Sequence, residues 1–138
     1  MCDYQALVMH LDQENLAMLA ELLAAEEFHV VKGPQTGLLM MVAQDPFATD
    51  FCLGEILVTE AATEYQGHRG YALVIGDEAE KALLAALLAA IVQSSNVALK
   101  EQIEHLLAPV ADRMRQAMDR ERRLLATSLV NFETMVKR

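Results

Sequence analysis

A chain of 138 residues is one domain's worth, and an apolar fraction of 54% excludes a disordered polypeptide. A net charge of −9 argues against nonspecific nucleic-acid binding, which needs a basic footprint. So high an apolar content in a small domain has two readings: an Ala-rich helical core, or an apolar patch that a partner covers.

The charge is unevenly spread. Residues 1–99 hold three basic residues (Lys32, Arg69, Lys81) against fourteen acids, a net −11, while residues 100–138 hold eight against six, a net +2. The only cysteines, Cys2 and Cys52, lie far apart in no metal-like spacing, so the natural expectation is a reducing compartment. The start of the chain has no basic region ahead of an apolar one, and the longest apolar run, 82–92, is too short to span a bilayer. A cytoplasmic protein with no membrane contact is the expectation.

In chain order, Tyr4 to Leu11 reads as a short helix. Asp12 caps a second helix from Gln13 to about Glu27, with Leu16, Leu19, Ala20 and Leu23 at helical spacing. Phe28 to Val31 reads as a first strand closed by Lys32-Gly33-Pro34. Thr36 to Ala43 is a second, so continuously apolar that a central position covered on both faces is expected.

Phe51 to Thr59 is a third strand, interrupted by Gly54, where a bulge or close backbone approach is expected. Gln66-Gly67 turns the chain into Tyr71 to Ile75, the fourth. Asp77 then stands as a helix cap, with Glu80 three residues on completing a capping box. The helix that follows, 79–92, is apolar nearly all round and should be buried on more than one side.

Gln93 to Asn96 is a break rich in cap residues. Val97 to Ala108 resumes a helix with Leu99, Ile103, Leu106 and Leu107 inward, and Pro109 is placed in the first turn of a last helix running to about Ser128. Its apolar side would be Val110, Met114, Ala117, Leu124 and Leu125. The expected architecture is α+β in one domain spanning 1–138: a small antiparallel sheet of about four strands with helices before and after it.

Catalytic signatures are missing from the sequence. There is no Gly-x-x-x-x-Gly-Lys loop, no dinucleotide fingerprint after a strand and no Gly-x-Ser-x-Gly elbow. His10, His29, His68 and His105 have no paired-ligand spacing. No catalytic residue, metal ligand or cofactor-binding residue is therefore assigned.

Five residues stand as candidate contacts. Glu55, beside Gly54 on a sheet, could meet a partner or ligand, or simply face solvent beside a bulge. His68 and Arg69 are placed at an exposed hairpin tip, where the guanidinium could grip a phosphate or carboxylate or remain solvated. Phe132 and Met135 would anchor a terminal segment in a groove of this chain or of a neighbour. Arg113, Arg115, Arg120, Arg122 and Arg123, interleaved with acids, read as a charged helix face with local ion pairs.

Two stretches carry a family resemblance. Phe51-x-x-Gly54-Glu55-x-x-Val58-Thr59, followed by Gly67, Gly70, Gly76 and an Ala-rich helix, resembles the G subunit of the bacterial carbon–phosphorus lyase system (PhnG). Asn131 to Lys137 resembles that family's closing motif. The resemblance implies an accessory, non-catalytic subunit of a cytoplasmic machine for phosphonate catabolism. Its partners would be the H-, I- and J-like subunits, the I-like one in direct contact.

In that system ATP is a substrate of the complex, not a cofactor of this subunit. With an L-like subunit as well, the assembly exchanges ATP's adenine for a phosphonate to yield ribose 1-phosphonate 5-triphosphate. This chain departs from the family at Glu60 and Asp77, where basic residues are common, and at Ala89, where an Asp is common; each change would remove charge available to a partner. From the residues themselves, a free-standing binder of a phosphorylated ligand and a homo-oligomeric scaffold remain open.

Overall fold

The computed structural model describes residues 4–128. Two short helices, α1 (Tyr4–Met9) and α2 (Gln13–Ala24), precede three strands, β1 (His29–Gln44), β2 (Asp50–Tyr65) and β3 (His68–Ile75). Helices α3 (Ala79–Gln93) and α4 (Val97–Thr127) follow. The strands form one antiparallel sheet in the order β1-β2-β3. The architecture is the expected α+β meander, with three strands rather than four.

The missing boundary lies at Lys32-Gly33-Pro34. The chain does not turn there. It continues through two register irregularities, between Val30 and Lys32 and between Lys32 and Gln35, so the two expected strands are one. The reason is position: β1 pairs only with β2, and an edge strand tolerates a proline whose missing N–H would break a central ladder. The same fact overturns the expectation that residues 36–43 are central and covered, because this run lies on the edge and is exposed almost throughout.

Other local features follow the sequence closely. Asp12 caps α2, accepting from the Asn15 N–H at 2.9 Å. Asn96 caps α4, accepting from the Leu99 N–H at 3.1 Å. Gln66 and Gly67, both at positive φ (49° and 79°), form a two-residue hairpin turn between paired Tyr65 and His68. A bulge sits at Gly54, where Met41 pairs with Gly54 and Val42 skips to Cys52.

The capping of α3 differs from expectation. Asp77 stands one residue too early, since the N-cap is Glu78, which makes no side-chain cap bond. Thr59 of β2 instead pins the N-cap residue from across the fold: its Oγ1 accepts from the Glu78 N–H at 3.1 Å and donates to the Gly76 carbonyl at 2.6 Å. Thr59→Val, which keeps the shape and removes both bonds, is expected to cost about 1–2 kcal/mol. Asp77→Ala should stay within about 0.5 kcal/mol. Thermal unfolding of the two variants checks this, and the reverse order of effects would return the cap to Asp77.

Pro109 also falls elsewhere than expected. It lies inside one unbroken helix, not at the start of a new one. The stripe Leu99, Ile103, Leu107 and Val110 is buried on both sides of it, and this continuous packing outweighs the one backbone bond that proline forfeits. Beyond Met114 the helix leaves the body, and Leu124 and Leu125, expected on its apolar side, are exposed.

The core is built around α3. Its residues Ala82, Leu84 to Leu88, Ala90 and Ile91 are buried, with β2 and β3 packed against it and α1 and α2 meeting it as well. Gly70 of β3 lets this helix approach the sheet. A Cβ there would meet the Ala86 carbonyl oxygen at 1.9 Å and the Ala90 nitrogen at 2.5 Å. Among the described residues, helices pack on one face of the sheet only.

Candidate interaction surface

Strand pairing places the apolar surface. β3 pairs with β2 only from Val58 to Tyr65, whereas β1 pairs with β2 from Asp50 to Glu64. Residues 38–44 and 50–57 therefore form a two-stranded ribbon running beyond the third strand. At about 3.3 Å per residue it projects roughly 23 Å. A two-stranded ribbon without a covered face is marginal in water.

Both faces of this arm are apolar. The register sets Leu38 against Leu57 on the side continuous with the helix-covered face, and Leu39 against Ile56 on the other. Leu38 is 65% exposed, and Leu39, Met40, Met41 and Leu57 are exposed as well. On the body, the sheet face away from α3 continues this surface through Tyr71, Leu73 and Ile75.

The tip is rigidly made. The Asp45 carboxylate accepts from the Phe47 and Thr49 N–H groups at 2.8 and 2.9 Å, and backbone bonds between Asp45 and Thr49 and between Ala48 and Asp45 close the loop. This turn holds Phe47 out into solvent, 89% exposed. Phe47 was not among the residues that the sequence singled out. Its signal was an aromatic next to Asp45-Pro46 in a turn, where burial has no claim on it.

Most charges near this surface are satisfied at home. Lys32 pairs with Glu60, and the Tyr71 hydroxyl donates to the same carboxylate at 3.0 Å; these two bonds, Lys32 first, hold the Glu60 carboxyl below its ordinary pKa. Glu60, directly after Val58-Thr59, is thus an acid whose charge is met from β1. Arg69 pairs with Glu64 at 3.2 Å.

Of the sequence candidates, Glu55 stands exposed in the arm opposite Met40. His68 and Arg69 directly follow the Gln66-Gly67 turn, at the turn end of the β2–β3 hairpin. They are the first residues of β3, His68 half-buried beside Tyr65 and Arg69 engaged by Glu64. The structure does not bring them near the arm, because they pair at the opposite end of β2. Phe132 and Met135 lie outside the described residues.

Elsewhere, Arg115 pairs with Asp112 at 3.2 Å and Arg113 lies 3.8 Å from Asp12, as a charged helix face should. Among the described residues no three His, Cys, Asp or Glu side chains are grouped to hold a metal ion, and no helix is long and apolar enough to cross a membrane. An open groove of about 1060 Å³ lies between α2 and α4, with Met18, Leu22 and Leu106 on its walls and Glu21 and Glu101 among its polar lining. Among the described residues no Lys or Arg lines it, and His105 stands there beside Glu101 and Gln102.

A family model described as "Phosphonate metabolism protein PhnG" matches residues 3–138. The chain belongs to the PhnG family. No curated protein matches it. Membership places the chain in phosphonate metabolism and agrees with a subunit of the carbon–phosphorus lyase system. In a PhnG-family chain the uncovered sheet and its apolar arm are the features most in need of a physical account.

Proposed function

We propose that this chain is an accessory, non-catalytic subunit of the carbon–phosphorus lyase complex in the cytoplasm. In that role it supports conversion of ATP and an organophosphonate to ribose 1-phosphonate 5-triphosphate and adenine. Its partners are the H-, I- and J-like subunits, with the I-like subunit in direct contact.

The observation that carries this reading is the extent of apolar β-surface that the described residues leave bare, their helices packing on one face of the sheet. A monomeric soluble protein rarely exposes so continuous a patch, and partner surfaces commonly do. Binding of a phosphorylated ligand by the chain alone has less support, since Arg69 is already neutralised by Glu64.

The test is reconstitution. The H-, I-, J- and L-like subunits of the same organism are co-expressed with and without this chain, and adenine release from ATP plus methylphosphonate is followed. Omission of the chain should lower adenine release at least about tenfold, with recovery when it is supplied. Full activity without it, or tight binding of a phosphorylated ligand by the isolated chain, would replace the subunit reading.

A further inference from the structure

Glu55 is set apart by the charge arrangement of the arm. Between Lys32 and Arg69 the chain has no Lys or Arg and five acids: Asp45, Asp50, Glu55, Glu60 and Glu64. Asp45 is consumed by the turn, Asp50 accepts from the Gln44 amide at 3.1 Å, Glu60 is held by Lys32 and Tyr71, and Glu64 is held by Arg69. Glu55 has no hydrogen-bond or ion-pair partner among the described residues. It projects from the middle of an otherwise apolar ribbon, flanked by Leu57 on its own strand and faced by Met40.

We propose that the β1–β2 arm inserts into an apolar slot of a different protein, whose wall carries an Arg or Lys opposite Glu55. This rests on the subunit reading above and specifies its interface. Three features set the nature of the occupant. Apolar side chains on both faces need two walls, not one flat surface. The outer edge of β1, which pairs with no strand among the described residues, offers backbone groups along the floor of such a slot. Phe47, held out by its own turn, supplies an aromatic anchor at the far end.

A second copy of this chain fits poorly. Edge-to-edge pairing of two arms leaves both apolar faces in water, and stacking them brings acids together with no Lys or Arg in either ribbon. A single charge inside an apolar contact acts mainly on specificity. It fixes how far the arm enters, because any other depth would leave Glu55 buried without a partner.

The experiment is hydrogen exchange on the isolated chain and on the complex recovered with the H-, I- and J-like subunits, together with Glu55→Lys and Glu55→Gln variants. In the isolated chain, amides of residues 38–57 should exchange faster than those of the three-stranded part, 58–75. In the complex they should become protected. Glu55→Lys should weaken capture by at least about 30-fold with the isolated fold unchanged, and Glu55→Gln should have a smaller effect of the same sign.

A complex in which the arm still exchanges fast, or which ignores Glu55→Lys, would overturn this proposal and leave the subunit reading intact. A chain that dimerises alone with its arm protected would assign the arm to a second copy. A monomer whose arm is already protected would show that it needs no occupant. Failure to form any complex would remove both readings together.

Discussion

Gly70→Ala is expected to destabilise the fold by about 3 kcal/mol, at the upper end of overpacking effects. The added methyl would lie 1.9 Å from the Ala86 carbonyl oxygen and 2.5 Å from the Ala90 nitrogen, and both are backbone atoms. No rotamer change can relieve such a contact. Sheet and helix must separate, and α3 is the helix against which most of the core packs, so the strain reaches Ala72, Val74, Ala85 and Ala86 together. Gly37→Ala is the control, since a Cβ there meets nothing within 4 Å. Urea unfolding should separate the two by more than about 2 kcal/mol, and equal effects would mean that the approach of α3 to β3 does not depend on Gly70.

Where local chemistry decides the structure, it was legible in the sequence. The caps at Asp12 and Asn96, the Gln66-Gly67 turn and the bulge at Gly54 each arise from a few neighbouring residues. The burial of α3 on more than one side was legible too, from its nearly continuous apolar content. Features that depend on non-neighbours were not. Thr59 reaches the start of α3 from another strand, and no local reading prefers it to Asp77. Gly33-Pro34 looks like a strand end unless one knows that β1 has a free edge.

The candidate surface illustrates the same limit. A continuously apolar strand has the same composition whether its cover comes from its own domain or from another protein. Residues 36–43 therefore read as central and proved to be an edge. Glu55 was identified by its place beside Gly54, but what distinguishes it is the pairing of the other acids nearby, which is tertiary information. Arg69 shows the converse: exposed as expected, yet committed to Glu64 across the strand pair.

Tyr65 should show the second large effect. It is the largest fully buried side chain among the described residues, and it joins three elements that are not neighbours in sequence. Its hydroxyl donates to Glu26 Oε2 at 2.6 Å, just past the end of α2, and accepts from Asn96 Nδ2 at 2.9 Å, at the N-cap of α4. Burial first, and then the bond to Glu26, push the phenol above its ordinary pKa, so it remains a donor across the working pH range.

Tyr65→Ala leaves a cavity beneath α3 and removes the link, and should cost about 4 kcal/mol. Tyr65→Phe keeps the ring and removes only the link, so its cost should be about 1–2 kcal/mol. The gap between the two variants, read from denaturant midpoints at constant slope, measures how much of the residue's effect is packing. Asn96 makes the comparison sharper, because its amide oxygen caps α4, accepting from the Leu99 N–H at 3.1 Å. Asn96→Asp keeps that cap but replaces the amide donor to Tyr65 with a second carboxylate beside Glu26. If the hydroxyl ties α2 to α4, the cost of Asn96→Asp should differ between the Tyr65 and Tyr65→Phe backgrounds, since in the latter only the repulsion from Glu26 remains. Additive effects of the two changes would show that the hydroxyl holds neither helix and that Tyr65 acts through its ring alone.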